Sequence, residues 1–338
     1  MIPFQYTRAN NIADAVRLIA ATSGAKFIAG GTNLLDLMKD NVERPTTLID
    51  ISRLPLTSVE ETASGGLRIG ALVPNSDLAW HPLIEKRYPL LASAILAGAS
   101  QQLRNMASTG GNLVQRTRCA YFYDTATPCN KREPGSGCSA ISGVNRGHAI
   151  LGASTSCIAT HPSDMCVALV ALDATVHVTG PNGARAIPFA DFHRLAGDTP
   201  HIDTNLGPDE IITSIEVPAK GFASNHSYLK IRDRMSYAFA LISVAAALEL
   251  KDGMIQEARL ALGGVAHKPW RNPAAEAALR GRPADEASFA GAADLLLRDA
   301  RPQAHNGFKL DLARRAIIRT LSQAAHGTPQ SQSNKTIQ

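Results

Sequence analysis

The sequence predicts an α+β fold: a two-part N-terminal region of mixed strands and helices, followed by an antiparallel sheet with helices after it. Three observations predict it. Short strand-like runs and an amphipathic helix alternate over residues 1–55. Strand-like, helical and glycine-rich stretches then mix over 57–222 without strict alternation. Finally, two long strand-like runs joined by Lys251-Asp252-Gly253 precede alanine-rich helical sequence over 273–325. The expected domains are therefore 1–222, itself divided into 1–55 and 57–222 with a cysteine-rich insertion at about 115–157, and 223–325. Residues 326–338 are rich in Gln, Ser, Thr and Asn and read as a disordered tail.

The elements follow in order. Asn10 or Asn11 caps a helix carrying Ile12, Ala15, Val16 and Ile19 at helical spacing. Lys26 to Ala29 is a short buried strand, Gly30 to Asn33 a turn, Leu34 to Lys39 a short helix, and Thr47 to Ile51 a second strand. Gly66 to Val73 reads as a strand and Leu90 to Arg104 as a helix, with a second glycine-rich turn from Ser108 to Val114. Val167 to Val178 is apolar and strand-like, Pro181-Asn182-Gly183 is a hairpin turn, and Glu210 to Val217 alternates as a strand ended by Pro218. Ala238 to Leu250 and Ile255 to Gly264 read as antiparallel strands.

Bulk properties narrow the function. A chain of 338 residues exceeds a single compact core, and 45% apolar with 19% charged residues is ordinary globular composition. The net charge of +5 is spread along the chain, and its densest cluster (Arg314, Arg315, Arg319) reads as a solvated helix face. No nucleic-acid partner is expected, although a positive field suits an anionic cofactor. No apolar run approaches the roughly 20 residues of a membrane helix, so no membrane insertion is expected. The opening Met1-Ile2-Pro3-Phe4-Gln5 lacks the basic and apolar pattern of a signal peptide.

Two turns share one chemistry. Ala29-Gly30-Gly31-Thr32-Asn33-Leu34 and Ser108-Thr109-Gly110-Gly111-Asn112-Leu113 each set paired glycines beside small hydrogen-bonding side chains. Glycines let backbone N–H groups approach a pyrophosphate, and Thr32 and Asn33 can donate to phosphate oxygens. Neither turn matches a dinucleotide or P-loop fingerprint, and a plain tight turn is the competing reading. All five cysteines (Cys119, Cys129, Cys138, Cys157, Cys166) lie in one stretch. None forms the close Cys-x-x-Cys pair usual for zinc, and their odd number argues against a disulfide framework. An iron–sulfur cluster, zinc and unligated thiols all stay open for the first four, while Cys166 sits in an apolar run and reads as a packing residue. Arg116, Arg118, Lys131 and Arg132 could offset the charge of a thiolate-bound cluster. Thr160-His161-Pro162-Ser163-Asp164 and Lys230-x-Arg232-x-Arg234 could face a cofactor, with a simple turn and a solvated basic strand as the alternatives.

Together the two Gly-Gly turns, Leu103-Arg104-Asn105, Thr160 to Asp164 and Leu262-Gly263-Gly264-Val265-Ala266-His267-Lys268-Pro269-Trp270-Arg271 resemble the FAD-binding subunits of molybdenum hydroxylases, the xanthine dehydrogenase and carbon monoxide dehydrogenase flavoproteins. The resemblance covers roughly residues 1–325. The segment from Gln115 to Cys138 resembles the bacterial periplasmic aldehyde oxidoreductases, whose flavin subunit carries an extra [4Fe–4S] cluster in an inserted loop.

The resemblance implies a two-part FAD-binding domain followed by a C-terminal flavoprotein domain. Lys26, Phe27, Ile28, Ala29, Gly30, Gly31, Thr32, Asn33 and Leu34, with Ser108, Thr109, Gly111 and Asn112, would hold the FAD pyrophosphate and ribose. Asp164 would lie near the ribityl or adenosine part and Lys230 near the flavin end. Cys119, Cys129, Cys138 and Cys157 would ligate the [4Fe–4S] cluster. No residue of this chain would act as a catalytic acid or base. A large molybdenum-cofactor subunit would oxidise the aldehyde and a small subunit with two [2Fe–2S] clusters would relay electrons. This chain would deliver them from FAD to an external acceptor. The assembly would be periplasmic by export with a signal-bearing partner, or else cytoplasmic. A free-standing FAD oxidoreductase is the alternative function.

Overall fold

The computed structural model describes residues 1–332. In the first 50 residues, β1 (Gln5–Arg8), α1 (Ile12–Ala21), β2 (Ala25–Ile28), α2 (Leu34–Lys39) and β3 (Thr47–Asp50) form a small unit with a parallel sheet of order β1-β3-β2. Asn11 caps α1 by accepting from the Asp14 amide at 2.8 Å, and Ala15, Val16 and Ile19 are its buried face. Parallel pairing of β2 with β3 fixes where β2 ends, at Ile28 opposite Asp50. That places the first Gly-Gly turn at the sheet's edge, just before α2.

The second unit contains β4 (Val59–Glu61), β5 (Leu67–Gly70), α3 (Asn75–Ala79), α4 (Pro82–Arg87), α5 (Pro89–Ala97), α6 (Gln101–Met106) and α7 (Thr109–Leu113). Short helices α8 (Ala120–Tyr123) and α9 (Ser139–Ser142) interrupt the cysteine-rich loop. Then come α10 (Asp164–Ala171), β6 (Thr175–Gly180), β7 (Gly183–Pro188), α11 (Phe189–Phe192) and β8 (Ile211–Val217). The sheet is antiparallel, in the order β4-β5-β8-β6-β7. Its core packs Leu67, Ile69, Val176 and Ile215 against α5 and α10.

Three expectations in this unit are corrected. The helix expected over Leu90–Arg104 is two helices, because Ala99 turns into the left-handed region at φ 51° between them. The second glycine-rich turn is itself one turn of helix, α7, capped by Ser108. The strand expected from Val167 begins only at Thr175, because Ser163 caps a helix over the preceding residues by accepting from the Cys166 amide at 3.1 Å. Every residue of α10 is buried, so no polar face marks the helical period in its sequence.

In the C-terminal unit, β9 (His226–Ile231), β10 (Ile242–Lys251), β11 (Met254–Gly263) and β12 (Trp270–Arg271) form an antiparallel sheet. The helices α12 (Pro273–Leu279), α13 (Glu286–Leu297) and α14 (Phe308–His326) cover one face of it. Lys251-Asp252-Gly253 makes the β10–β11 hairpin, with Asp252 and Gly253 both at positive φ. β10 starts at Ile242 rather than at Ala238, so residues 232–241 form a loop. His326 ends α14, and the Gln332 amide donates to the Tyr228 carbonyl at 3.1 Å, so this much of the expected tail is ordered. The rest of that expectation, 333–338, lies outside the described residues. Among the described residues, no helix is long and apolar enough to cross a membrane.

Candidate functional site

The two glycine turns meet. An added Cβ on Gly30 would stand 1.7 Å from the Met106 carbonyl oxygen, so only glycine lets the first turn lie against the backbone leading into α7. Gly31 has φ 72°, which favours glycine for a different reason. Gly110 lies against Ala71. These glycines join the three-stranded unit to the second unit, and the joint is the floor of a cavity of about 1120 Å³. That exceeds the roughly 300–1,000 Å³ of a drug-sized site and suits a large cofactor.

The cavity brings together almost every cofactor residue expected from the sequence. All nine from Lys26 to Leu34 line it, with Ser108, Gly111, Asn112, Asp164 and Lys230. Thr109 does not: it is buried, and its hydroxyl donates to the Val73 carbonyl at 2.8 Å. The Ser108 hydroxyl accepts from the Gly111 amide at 3.2 Å as the cap of α7. Asn112 Oδ1 accepts from Gln115 and from the Ser163 hydroxyl, at 2.7 and 2.6 Å. Asn33 Oδ1 accepts from the Arg116 amide at 3.0 Å, tying the cysteine-rich segment to the first turn. Asn33 Nδ2 is buried without a partner, an unused donor at the cavity wall.

Asp164 and Lys230, assigned to different parts of FAD from the sequence, form one buried ion pair with Nζ to Oδ2 at 2.7 Å. They therefore face a single part of any ligand. Tyr228 donates to the other Asp164 oxygen at 2.7 Å, and burial beside that carboxylate holds its phenol well above the usual range. Lys230, Arg232 and Arg104 all reach carbonyls at the C-terminal end of α5, where cations complement the helix dipole. Sequence reading missed Arg104 and the aromatic loop residues Tyr237 and Phe239 as cavity-lining groups. A basic strand pattern gave no signal for a loop. Arg118 bridges that loop to the first unit, its guanidinium 5.1 Å from the Phe239 ring and 3.0 Å from Asp36.

The four cysteines Cys119, Cys129, Cys138 and Cys157 surround one recess and are free thiols. Cys129 and Cys138 face each other across an isolated antiparallel bridge. Backbone amides point at three of the sulfurs: Tyr121 and Phe122 at Cys119; Ala140, Ile141 and Ile158 at Cys138; Ala159 at Cys157. Burial pushes the Cys119 thiol up to about 11. The hydrogen bond between the Cys138 and Cys157 thiols lowers Cys138 below the usual thiol range and raises Cys157 above it. The flanking cations have other work than the sequence suggested. Lys131 and Arg116 both pair with Asp203, Arg116 also with Glu43, and Arg118 with Asp36. Arg132 donates to the carbonyls of Tyr121, Phe122 and Thr127, which folds the loop.

Cys166 is fully buried, as expected, but it has company. Among the described residues, His161, Cys166 and His193 place their ligand atoms within 4.8 Å of one another. The His161 and His193 rings lie 4.3 Å apart. His193 Nε2 donates to the Leu113 carbonyl at 2.8 Å and His267 Nδ1 to the Arg194 carbonyl at 3.0 Å. Burial lowers His193 and His267 to about 4 and His161 well below the usual range. The unfolded chain then binds more protons than the folded one between pH 6.5 and 4, so stability is lost as the pH falls through that window. Protonating His193 alone is expected to cost about 3 kcal/mol by pH 4. Denaturant unfolding at pH 7 and pH 5 checks this: His193→Gln should lessen the acid loss, and an unchanged loss would contradict it.

Family models match almost the whole chain. The FAD binding domain in molybdopterin dehydrogenase matches residues 2–220, and the CO dehydrogenase flavoprotein C-terminal domain matches residues 227–324. The chain is 53% identical to the aldehyde oxidoreductase FAD-binding subunit PaoB of Escherichia coli, over 96% of its length and 99% of the relative's. It is 29% identical to the glyceraldehyde dehydrogenase medium chain of Sulfolobus acidocaldarius, over 79% and 78% of the two chains. The carbon monoxide dehydrogenase of Hydrogenophaga pseudoflava superposes with a TM-score of 0.76 at 27% identity, over 97% of this chain and 99% of that one. These matches and the cavity at the joined glycine turns agree: the chain belongs to the FAD-binding subunits of the molybdenum hydroxylases and is an FAD-carrying oxidoreductase component.

Proposed function

We propose that the chain is the electron-transfer flavoprotein subunit of a molybdenum-dependent aldehyde oxidoreductase, holding FAD in the cavity and a [4Fe–4S] cluster on Cys119, Cys129, Cys138 and Cys157. The observation that carries the cluster is the arrangement of the four thiols. All four line one recess, and among the described residues no other cysteine joins them there. Four thiols gathered from a loop without a close Cys-x-x-Cys pair, with backbone amides aimed at three of the sulfurs, suit an anionic cluster. When bound, FAD supplies exchange of one or two electrons and the cluster supplies single-electron steps.

The recess and the cavity are neighbours. Arg116 and Arg118, just before Cys119, line the FAD cavity, and Arg116 is bonded to Asn33. In this reading Asn33 Nδ2 and the first glycine turn hold the pyrophosphate, with Ser108, Gly111 and Asn112 on its other side. The Asp164–Lys230 pair positions one end of the cofactor. A large molybdenum-cofactor subunit and a small subunit with two [2Fe–2S] clusters supply the electrons, and an external acceptor removes them. The complex resides in the periplasm, exported with a signal-bearing partner. The 53% identity to an aldehyde oxidoreductase subunit supports the aldehyde assignment.

Purified protein is expected to hold one FAD and four irons per chain; protein loaded with zinc and free of iron would refute the cluster. Cys129→Ser should lose most of its iron while keeping FAD. Cys166→Ser should keep both, and iron loss there would redraw the ligand set. Cell fractionation tests the compartment: flavoprotein confined to the cytoplasm beside its partners would overturn the periplasmic placement.

A further inference from the structure

His148 lies in the loop between Cys138 and Cys157, and its Nε2 is 3.1 Å from Cys119 Sγ. His148 is buried and its backbone is held by three partners. Its own amide donates to the Asn145 carbonyl at 3.0 Å. Its carbonyl accepts from Asn306 Nδ2 at 3.1 Å and from Lys309 Nζ at 2.9 Å. Lys309, at the start of α14, is fully buried and also donates to the Gly264 carbonyl at 2.6 Å. Asn145 donates to the Ala140 carbonyl at 3.2 Å and accepts from the His305 amide at 2.9 Å. The C-terminal unit thus clamps the segment that carries His148.

We propose that His148 is a positioning residue of the [4Fe–4S] site: its Nε2–H donates to the Cys119 sulfur and favours the reduced, more negative cluster. The inference rests on the reading of the four cysteines as cluster ligands. A ligating sulfur is a thiolate and can only accept, so the nitrogen beside it must donate. The tautomer agrees with the surroundings. His148 Nδ1 is buried and makes no hydrogen bond that would hold the proton there. Hydrogen bonds to cluster sulfurs raise the reduction potential, because they stabilise the charge that arrives with the electron. Cys119 already receives the Tyr121 and Phe122 amides, and His148 adds a side-chain donor to the same sulfur.

The test uses the intact complex. In wild-type protein labelled with [15N]histidine, pulsed EPR of the reduced cluster should show a hyperfine coupling to one imidazole nitrogen. His148→Phe should keep four irons, lose that coupling and bind its electron about tenfold more weakly, a fall of ~59 mV for one electron. His148→Gln, which keeps an N–H, should recover much of the potential. An iron-containing wild type without the coupling, or an iron-replete His148→Phe protein at the wild-type potential, overturns the proposal. If His148→Phe fails to fold or to take iron, the wild-type coupling still decides. A wild type without iron instead defeats the cluster reading itself.

Discussion

Asp164→Ala is expected to lower the unfolding free energy by about 3–5 kcal/mol and to strip much of the FAD from the purified protein. The Asp164 and Lys230 side chains are 7% and 3% exposed and pair at 2.7 Å. Removing the carboxylate leaves the Lys230 ammonium with the Ala97 carbonyl at 3.1 Å and no anion. It also leaves the fully buried Tyr228 hydroxyl without the acceptor it holds at 2.7 Å. Arg104 and Arg232 gather at the same helix end, so the uncompensated charge has cationic neighbours. Asp164→Asn keeps an acceptor for Tyr228 and should cost less. Denaturant unfolding together with the flavin-to-protein absorbance ratio reads both effects. Wild-type stability in Asp164→Ala would show that the pair is not what holds this wall of the cavity.

Gly30→Ala is expected to abolish stable FAD binding, with a stability loss beyond the ~1–3 kcal/mol of ordinary overpacking. The new methyl would overlap a backbone carbonyl, which cannot swing aside as a side chain does. Nor can the opposing segment retreat easily. The Ala107 carbonyl accepts from the Asn75 amide at 2.9 Å, and the Thr109 amide donates to the Val73 carbonyl at 2.9 Å. The two turns would have to part, opening the floor of the cavity. Gly31→Ala should be milder, since its clash is with the flexible Leu35 side chain and its cost is mainly the left-handed φ. Gly291→Ala is the control: nothing lies within 4 Å of its added Cβ, and alanine favours the α13 helix by about 1 kcal/mol. Gel filtration followed by flavin quantitation checks the series. Retention of FAD by Gly30→Ala would show that the contact between the turns can relax.

Much of the cavity was legible because local rules specify it. The apolar spacing of Ala15, Val16 and Ile19 makes one helix, Asp252-Gly253 makes one hairpin, and the strand–glycine–helix order from Lys26 to Leu34 puts nine consecutive residues on one wall. Motif resemblance extended this to Ser108, Gly111, Asn112, Asp164 and Lys230, all on the same cavity. The misreadings have physical causes. α10 is buried on every side, so its sequence carries no amphipathic period, and a Ser163 cap decided helix over strand. Thr109 shares its motif with true cavity residues, yet its hydroxyl turns to Val73, a carbonyl in the turn after β5, 36 positions earlier.

What the sequence alone determined is therefore the family, the α+β class, and the glycine turns that line the cavity. Only the tertiary structure decided which groups satisfy one another: Asp164 with Lys230, Lys131 with Asp203, and Lys309 with the carbonyl of His148. Such partners lie 66, 72 and 161 positions apart. Propensity and periodicity act over a turn or two of chain. The requirement that a buried charge find its counterpart is met across space, by whatever backbone the packed sheets and helices bring alongside.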